Sequence, residues 1–332
     1  MNQTSKRYGD LCRRRQNFLQ RAWDASELTI PFILPRHGTQ DQELPTPYQS
    51  IGARGVNNLS AKLLLTLFPP NSPFFKFQID DFTLAELEAQ RAPVEEGLNA
   101  MERSVMDEVE AKAMRVPLNE ALRHLIITGN ACLHVDKDHA VRVFHLDQFV
   151  VRRDPQGKML EIIVHEKMSR ELYMDIFNTL PPKESGDSDK ADEKELNLYT
   201  IVRRKDNKIH VHQEVNDMKI PNTDSKYPLD KNPWLTLRFS SIDGEDYGRG
   251  FVEEYLGDLK ALEGLSKAIL EGSCAAARAI FLVRPNGTTK LKTISQAPNL
   301  AVRQGSAEDV SVLQMEKFND FRVARETLET TE

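Results

Sequence analysis

Apolar residues in the N-terminal part of the chain recur every three to four positions, which is the period of an amphipathic helix. This pattern predicts four helices, over residues 5–28, 48–68, 84–114 and 118–128. Proline limits them, because it cannot donate an intrahelical hydrogen bond. Pro69 and Pro70 end the second helix, and Pro93 is expected to interrupt the third.

Beyond residue 130 the apolar period shortens to two, which is typical of half-buried strands. The short runs 131–135, 141–145, 149–153 and 159–165 predict a small antiparallel meander. Asp154-Pro155-Gln156-Gly157 supplies its last turn, since Pro fixes φ and Gly accepts a positive one. A polar tract over 182–195, with six acids against three lysines, predicts a mobile loop. Strand character returns over 198–203, 209–215 and 234–239, with a hairpin turn at Asp206-Asn207.

The C-terminal segment has the pattern helix, β insert, helix. An unbroken helix is predicted over 252–277, roughly 37 Å long at 1.5 Å per residue, and strand-like runs follow within 278–315. Helical spacing returns at Glu316, and the chain ends within it at Glu332. We therefore expect the natural protein to continue. The predicted fold class is α+β and predominantly helical.

Composition narrows the class of protein. The chain has 332 residues, of which 40% are hydrophobic and 28% charged, with a mean hydropathy of −0.49. This is the profile of a soluble chain of about two domains. The longest apolar stretches fall far short of the roughly 20 residues that span a bilayer, so we expect neither export nor membrane insertion. Three scattered cysteines do not form a disulfide framework, which favours a reducing cytoplasm.

The net charge of −6, from 44 basic against 50 acidic residues, does not favour wrapping of nucleic acid by the whole chain. The N-terminus is a local exception, because up to Arg21 six basic residues face only Asp10, a net of +5. The six are Lys6, Arg7, Arg13, Arg14, Arg15 and Arg21. We interpret this run as the solvated face of the first helix.

No catalytic motif is specific enough to name a reaction. The chain lacks the phosphate-binding G-x-x-x-x-G-K-[ST] pattern and the zinc-binding H-E-x-x-H pattern. Cys132/His134 and His210/His212 have the spacing that places two ligands on one face of a strand. Structural zinc needs four ligands, however, and no second cluster has zinc spacing. The sequence therefore predicts no catalytic residue, no metal site and no cofactor.

Three segments together resemble one protein family. They are Thr46-Pro-Tyr-Gln-Ser-Ile-Gly-Ala-Arg-Gly-Val-Asn-Asn-Leu-Ser-Ala-Lys-Leu, continuing to Leu67-Phe-Pro-Pro; residues 122–133 with a Thr128-Gly-Asn-Ala core; and Tyr247-Gly-Arg-Gly-Phe-Val-Glu-Glu-Tyr-Leu-Gly-Asp-Leu, followed by Leu262-Glu-Gly-Leu. In content, order and spacing they resemble the portal protein, or head-to-tail connector, of Autographivirus-type short-tailed phages. The similarity runs from about residue 5 to the end of the chain.

The resemblance implies a portal fold with a wing, a helical stem and a small α/β clip, assembled as a ring. Carried over by segment, the wing is 1–239, the first stem helix with its lead-in 240–277, the clip 278–315 and the start of the second stem helix 316–332. The rest of the stem, the crown and the C-terminal region of the family have no counterpart in this sequence.

The resemblance also implies a function and partners. Portal rings, commonly of twelve subunits, form the channel at one capsid vertex through which double-stranded DNA is packaged and later ejected. They dock terminase and then the tail adaptor, and they contact the scaffold and major capsid proteins. The implied location is the portal vertex of the virion, after assembly in the host cytoplasm, with no cofactor and no membrane contact.

Three sets of residues are candidates for roles in such a ring. Charged residues of the stem helix are expected to line the channel: Glu253, Glu254, Asp258, Lys260, Glu263, Lys267 and Glu271. Five acids against two lysines give −3 per subunit, a surface that repels phosphates and lets DNA slide. Basic residues of the clip are expected to meet DNA phosphates or acidic docking surfaces: Arg284, Lys290, Lys292 and Arg303. Apolar residues of the stem helix are expected to pack on the next subunit: Leu256, Leu259, Leu262 and Ile269.

Two other functions stay open at this point. The acids Asp80 and Asp81, or Asp243 with Glu245 and Asp246, are compatible with a metal-dependent nuclease or another DNA-processing enzyme. The plain alternative is that these acids lie in loops or at helix N-termini, where they complement the helix dipole. A different virion ring, such as a tail adaptor, is the second alternative.

Overall fold

We analysed a computed structural model of the chain. The structure describes residues 3–36, 43–70, 72–79, 91–181, 195–276, 280–283 and 310–313. The chain divides into two compact units, Met1–Leu256 and Gly257–Glu332. Helices and sheets are both present, as predicted for the α+β class.

The helices are α1 Gln3–Glu27, α2 Ile51–Leu67, α3 Arg91–Ala111, α4 Arg115–Thr128, α5 Arg170–Phe177 and α6 Leu256–Ala276. The first, second and fourth predicted helices are confirmed to within three residues at each end. α3 carries Pro93 in the first turn of its described part, where proline is tolerated, and the interruption predicted at that residue stays a prediction. Residues 84–90 of that prediction lie outside the described residues.

The short helix α5 was not predicted from the sequence. It begins after Ser169, whose side chain accepts a hydrogen bond from the Leu172 N–H at 3.2 Å. It ends at Asn178, which takes a left-handed conformation with φ 52°. Tyr173 is buried against Leu198 and neighbouring strand residues, so packing stabilises a helix of only eight residues.

The strands of the first unit form two sheets. Their bounds are β1 Asn130–Val135, β2 Val141–Phe144, β3 Phe149–Arg153, β4 Met159–Met168, β5 Leu196–Lys205, β6 Lys208–Val215, β7 Met218–Lys219, β8 Ser225–Pro228 and β9 Trp234–Arg238. One sheet has the order β2-β1-β9, and the other has the order β3-β4-β5-β6-β7 with β8 beside β6. All the pairs are antiparallel.

The predicted four-strand meander is wrong at one point, because β2 and β3 lie in different sheets. The segment between them is held by Arg15, whose Nη1 donates to the carbonyl oxygens of Leu146, Asp147 and Phe149 at 2.7–2.9 Å. The hydrogen bonds to these carbonyl oxygens thus come from the Arg15 side chain, and β2 and β3 do not pair with each other. The two turn predictions are confirmed: Gly157 has φ 80°, and Asp206-Asn207 has φ 50° and 60°.

The basic face of α1 is only partly solvated. Arg15 is 4% exposed and also pairs with the Asp147 carboxylate at 3.1 Å. Arg7 pairs with Glu161 at 2.8 Å. Arg13, in contrast, is exposed, as the sequence predicted for the whole run. Arg7 and Arg15 therefore attach the helix to the strands beneath it, while Lys6, Arg13 and Arg14 form the exposed part of the basic face.

The core of the first unit lies along α1 and the central strands. Val150 and Val151 point to opposite faces of the sheet, and both are almost fully buried. Val150 belongs to a cluster with Leu11 of α1, and Val151 belongs to the larger cluster that contains Leu19. The sheet is therefore covered on both faces near β3.

The second unit contains α6 from Gly257 onward and a pair of antiparallel strands. A 3₁₀ helix, Phe251–Tyr255, precedes α6, so the predicted unbroken helix begins with a tighter turn. The strands β10 Ile280–Val283 and β11 Val310–Leu313 pair antiparallel, which confirms strands in the predicted insert. Within the described residues, no helix is long and apolar enough to cross a membrane.

His145 makes the stability of the first unit depend on pH. Its ring stacks on that of the buried His124 at 6.4 Å between centroids, with Arg15 and Glu120 nearby. Burial is the main cause that lowers the pKa of His145 to about 4, and the neighbouring His124 and Arg15 contribute to the same shift. The unfolded imidazole binds its proton near pH 6.5, so the unfolded state gains protons first on acidification. Folding stability therefore falls as pH drops from about 6.5 to about 4.

We expect the loss to reach roughly 3 kcal/mol at the acidic end. Urea denaturation at pH 7.5 and 4.5 measures it, with His145→Phe as the variant that keeps a stacking ring without a titrating group. The variant should lose most of the difference between the two pH values. An equal pH dependence in both proteins would show that other groups control acid stability.

Candidate functional site

Two of the three segments that carry the family resemblance meet in space, at a contact we call the motif junction: residues 128–130 against 247–250. Asn130 links the two sides. Its amide nitrogen donates to the carbonyl oxygens of Thr128 and Gly248 at 2.9 Å each, and its amide oxygen accepts from the Gly248 N–H at 2.7 Å. Asn130 is 2% exposed, so one side chain satisfies buried backbone groups of both segments.

The motif junction requires glycine at three positions because main chains touch there. A Cβ on Gly129 would lie 2.3 Å from the Arg249 carbonyl carbon, and Gly129 also has φ 75° as the C-cap of α4. A Cβ on Gly248 would lie 2.7 Å from the Gly129 oxygen, and one on Gly250 would lie 2.4 Å from the Ile127 oxygen. Residues 247–250 are thus seated directly on the end of α4.

Tyr247 and Asp246 attach the same segment to the central sheet. The Tyr247 hydroxyl accepts a hydrogen bond from the Val151 N–H at 3.1 Å, and the side chain is 1% exposed. Burial raises the pKa of that hydroxyl. The Asp246 carboxylate accepts from the Arg153 N–H at 2.7 Å. The segment that leads into α6 is therefore fixed to α4 and to β3 together.

An ion-pair network encloses the start of the 3₁₀ helix. Arg249 pairs with Glu245 at 3.1 Å and with Glu253 at 2.9 Å, and Arg21 of α1 reaches the same Glu253 carboxylate at 3.0 Å. Glu253 was predicted to line a channel. Its carboxylate pairs with two arginines of its own chain, and its place in a channel wall stays a prediction.

The first resemblance segment forms a similar contact at the start of α2. The Gln49 side chain donates to the Leu28 carbonyl oxygen at 2.7 Å and accepts from the Gly52 N–H at 2.9 Å. A Cβ on Gly52 would lie 2.6 Å from the same Leu28 oxygen. All three segments thus contain residues whose type is required by close backbone packing. Sequence reasoning recognised the segments but not these roles, because the partners lie far away along the chain.

The remaining channel candidates fall into two groups. Glu254 and Asp258 are exposed near the start of α6. The group Lys260, Glu263, Lys267 and Glu271 is spaced three or four residues apart, which places it on one side of α6. Lys267 pairs with Glu271 at 3.9 Å. The two lysines and two acids of this group have a net charge of zero. The net negative charge of the predicted set therefore comes from Glu253, Glu254 and Asp258.

The interface candidates differ in exposure. Leu259 and Leu262 are 9% and 3% exposed in the single chain. Leu256 and Ile269 are half-buried. Leu270, which lies beside Ile269, is 51% exposed. The clip candidates Arg284, Lys290, Lys292 and Arg303 lie outside the described residues.

The acids and histidines considered for metal chemistry have other contacts where the structure describes them. Glu245 pairs with Arg249, and Asp246 accepts from the Arg153 N–H, as described above. His134 stacks on Trp234 at 4.1 Å, and His212 lies 3.0 Å from Glu214. Among the described residues, no group of three or more His, Cys, Asp or Glu could hold a metal ion. Asp80 and Asp81 lie outside those residues.

Comparison with known proteins finds a matching family and several similar phage portal proteins. The family model described as "Bacteriophage head to tail connecting protein" matches residues 1–332. The portal protein of Enterobacteria phage T3 is 35% identical over 96% of this chain and 61% of its own length. The portal protein of Escherichia phage T7 is 33% identical over 94% of this chain and 60% of its own length. The chain thus spans about three fifths of the length of these two relatives.

Two further matches have lower sequence identity. The portal protein of Enterobacteria phage SP6 is 26% identical over 96% of this chain and 62% of its own length. Among solved structures, a chain of a native gene transfer agent virion is 11% identical over 65% of this chain and 54% of its own, with a TM-score of 0.29. A score this low supports no fold assignment.

The motif junction predicts which glycines are required. Gly250→Ala should lower the free energy of unfolding by about 2 kcal/mol or more, because the new methyl group collides with backbone that cannot move aside. Gly9→Ala in α1 is the matched control, since its Cβ meets nothing within 4 Å. It should be neutral or stabilise by up to about 1 kcal/mol. Equal stability of the two variants in urea would show that the junction tolerates a side chain.

Proposed function

The chain belongs to the family of bacteriophage head-to-tail connecting proteins, and we propose that it is a structural portal subunit whose ring forms a DNA channel at one capsid vertex. The observation that carries this proposal is the family match over all 332 residues, together with 35% and 33% identity to the portal proteins of phages T3 and T7. The role is structural and uses no catalytic residue. Because the chain spans only part of its relatives, the ring, the channel and the partners are all proposals.

We propose a ring of twelve subunits that conducts double-stranded DNA and docks terminase during packaging and the tail adaptor afterwards. Scaffold and major capsid proteins would surround its rim, and it would assemble in the host cytoplasm before becoming part of the virion. The proposed wing is 1–239, the stem helix with its lead-in 240–277, the clip 278–315 and the start of the second stem helix 316–332. The attachment of 246–250 to α4 and β3 supports a lead-in that fixes where the stem helix begins.

The direct test of this proposal is the shape of the purified protein. Negative-stain images should show closed rings with a central hole, and mass photometry should give one dominant oligomer near twelve chain masses. A strictly monomeric protein at micromolar concentration would contradict the ring. Cleavage of DNA in the presence of Mg²⁺ would instead support a metal-dependent nuclease.

We propose that the channel wall near the start of the stem helix is acidic and weakens DNA adhesion. The described charges refine the region that carries this role. Glu253 is paired with Arg21 and Arg249, and the later charges of α6 balance. Glu254 and Asp258 remain as exposed acids at the N-terminal end of α6. Repeated around a ring, they would repel phosphates without binding them.

Reversal of these two acids should make DNA adhere to the channel. In a packaging assay, Glu254→Lys with Asp258→Lys should slow DNA entry most at low salt, because the added ionic contacts to phosphate are screened as salt rises. Glu263→Lys with Lys260→Glu exchanges two charges on the same helix and keeps the net charge, so it serves as control. An unchanged packaging rate and salt dependence in the reversed variant would show that these acids do not face DNA.

We also propose roles for the basic residues of the clip and for the apolar residues of the stem helix. Arg284, Lys290, Lys292 and Arg303 would meet DNA or an acidic docking surface of terminase or the tail. Leu256 and Ile269 would contact the next subunit, since both are half-buried in the single chain. Leu259 and Leu262 are already buried, so alanine at those positions would lower the stability of the subunit as well as any contact between subunits.

A further inference from the structure

We propose that one side of the larger sheet in the first unit binds the phosphate backbone of double-stranded DNA without reading its sequence. We call this side the basic sheet surface, and it consists of Arg152, Arg203, Lys205, Lys208 and Lys226. It is separate from the channel residues proposed above, and DNA binding by it does not require a ring.

The strand register places three of these basic residues in one row across the sheet. Arg152 of β3 lies opposite Glu161 of β4, which in turn lies opposite Arg203 of β5. The row continues from Arg203 through His210 of β6 to Lys226 of β8. Residues paired directly across strands project to the same side of a sheet, so the row forms one continuous surface.

A second row of two lysines lies beside the first. Lys205 is two positions after Arg203 on β5, and it lies opposite Lys208 of β6. Because successive side chains of a strand alternate between the two sides, residues two positions apart share a side. All five members of the basic sheet surface are exposed. Of the five, only Arg203 forms an ion pair with another described residue.

The carboxylate in the first row is enclosed by arginines. Arg7 of α1 donates to Glu161 through Nε and Nη2 at 3.2 and 2.8 Å, and Arg203 donates through Nε at 2.7 Å. Partial burial raises the pKa of Glu161, but these hydrogen bonds and charges lower it by more, so the carboxylate stays ionised. Since Arg203 uses Nε here, its two Nη groups remain for a phosphate.

The local charge of this surface is opposite to that of the whole chain. Its five members and Arg7, against Glu161 and the Asp206 of the adjoining turn, leave +4, whereas the whole chain has −6. Asp224 lies at the border of the surface, and its carboxylate pairs with Lys219. A polyanion is therefore attracted to this region although the chain as a whole repels it.

The chemistry of the surface favours DNA over a protein partner. The apolar side chains on this side of the sheet, Val150, Ile163 and Ile201, are buried in a cluster with Leu11 of α1. The two basic rows contain no exposed Leu, Ile, Val, Met or Phe. A protein–protein interface usually has an apolar centre, whereas an interface with DNA is more polar and much more positively charged.

The spacing of the basic residues suits phosphates at the edges of the DNA grooves. Neighbouring strands are about 4.8 Å apart, so Arg203 lies about 10 Å from Arg152 on one side and from Lys226 on the other. Lys205 follows Arg203 by about 7 Å along β5. The grooves of B-DNA are about 6 and about 12 Å wide, so long side chains at these spacings can reach phosphates on both edges of a groove.

The salt dependence of binding to a duplex tests this contact in the full chain. Fluorescence anisotropy with a labelled duplex of about 20 base pairs measures Kd between about 50 and about 200 mM salt. Five phosphate contacts should give a slope of log K against log salt of about −4.5, which is a loss of affinity of about 500-fold over that range.

Neutralising three members should remove most of this dependence. The triple variant Arg152→Gln, Lys205→Gln, Lys208→Gln keeps two contacts, so the slope should fall to about −2. At the lowest salt it should bind the duplex about 30-fold or more weakly than the unmodified protein, because three ionic contacts are lost.

A second triple variant is the matched control. Arg54→Gln, Lys62→Gln, Lys137→Gln removes the same three charges from exposed positions outside the basic sheet surface. It should change the affinity by less than about threefold, since only the net charge is altered. Circular dichroism and mass photometry check that all the proteins have the same fold and the same assembly state.

The possible outcomes are distinct. Equal weakening by both triple variants, or no weakening by either, would overturn the basic sheet surface as a DNA site. Polyglutamate that competes as well as unlabelled duplex at equal charge concentration would assign the surface to an acidic protein and would also overturn it. Rings that form without this binding would reject the DNA contact alone, whereas binding by a protein that forms no ring would support the contact and reject the ring proposal.

Discussion

Two main chains approach each other at the motif junction, and this is the tightest glycine contact among the residues that the structure describes. Gly129, Gly248 and Gly250 let the segment 247–250 lie on the end of α4 at distances that no Cβ would permit. Asn130 then satisfies the backbone groups enclosed there. This contact fixes where the 3₁₀ helix begins, and the ion pairs of Glu253 reinforce it. The position of the residues just before α6 thus depends on α1, α4 and β3 together.

Local patterns predicted most elements because each element carries its own periodicity. α1, α2 and α4 were placed by apolar spacing and proline, and the turns at Gly157 and Asp206-Asn207 by the conformations those residues accept. Contacts between distant parts of the chain were not predicted. The segment where the chain passes from one sheet to the other is held by Arg15, whose three carbonyl partners lie more than 130 positions away, and no local pattern reveals such a pairing.

The same limit applies to charge. Counting acids and lysines between Glu253 and Glu271 gave a net of −3, but the effective surface depends on partners from elsewhere in the chain. Arg21 and Arg249 remove Glu253 from that count, and Arg7 and Arg15 are likewise removed from the basic face of α1. A charged side chain that forms an ion pair within the fold helps to hold two elements together. The electrostatic potential at the surface comes mainly from charged side chains that have no such partner. Sequence alone predicted which residues are charged and could not predict which of them remain exposed.

Val109 is the one buried side chain of α3 among those described, and this sparse packing has a consequence for the motion of the chain. A helix stabilised by little tertiary packing stays close to its own helix–coil equilibrium, and its free energy of local opening is small. The amide hydrogens of its first turns would therefore exchange with solvent through local opening. Those of β3 and β4 would exchange only when the whole unit unfolds. We therefore expect slow exchange in the sheet and fast exchange in this helix, and any partner that covers the helix must offset the entropy lost when it becomes ordered.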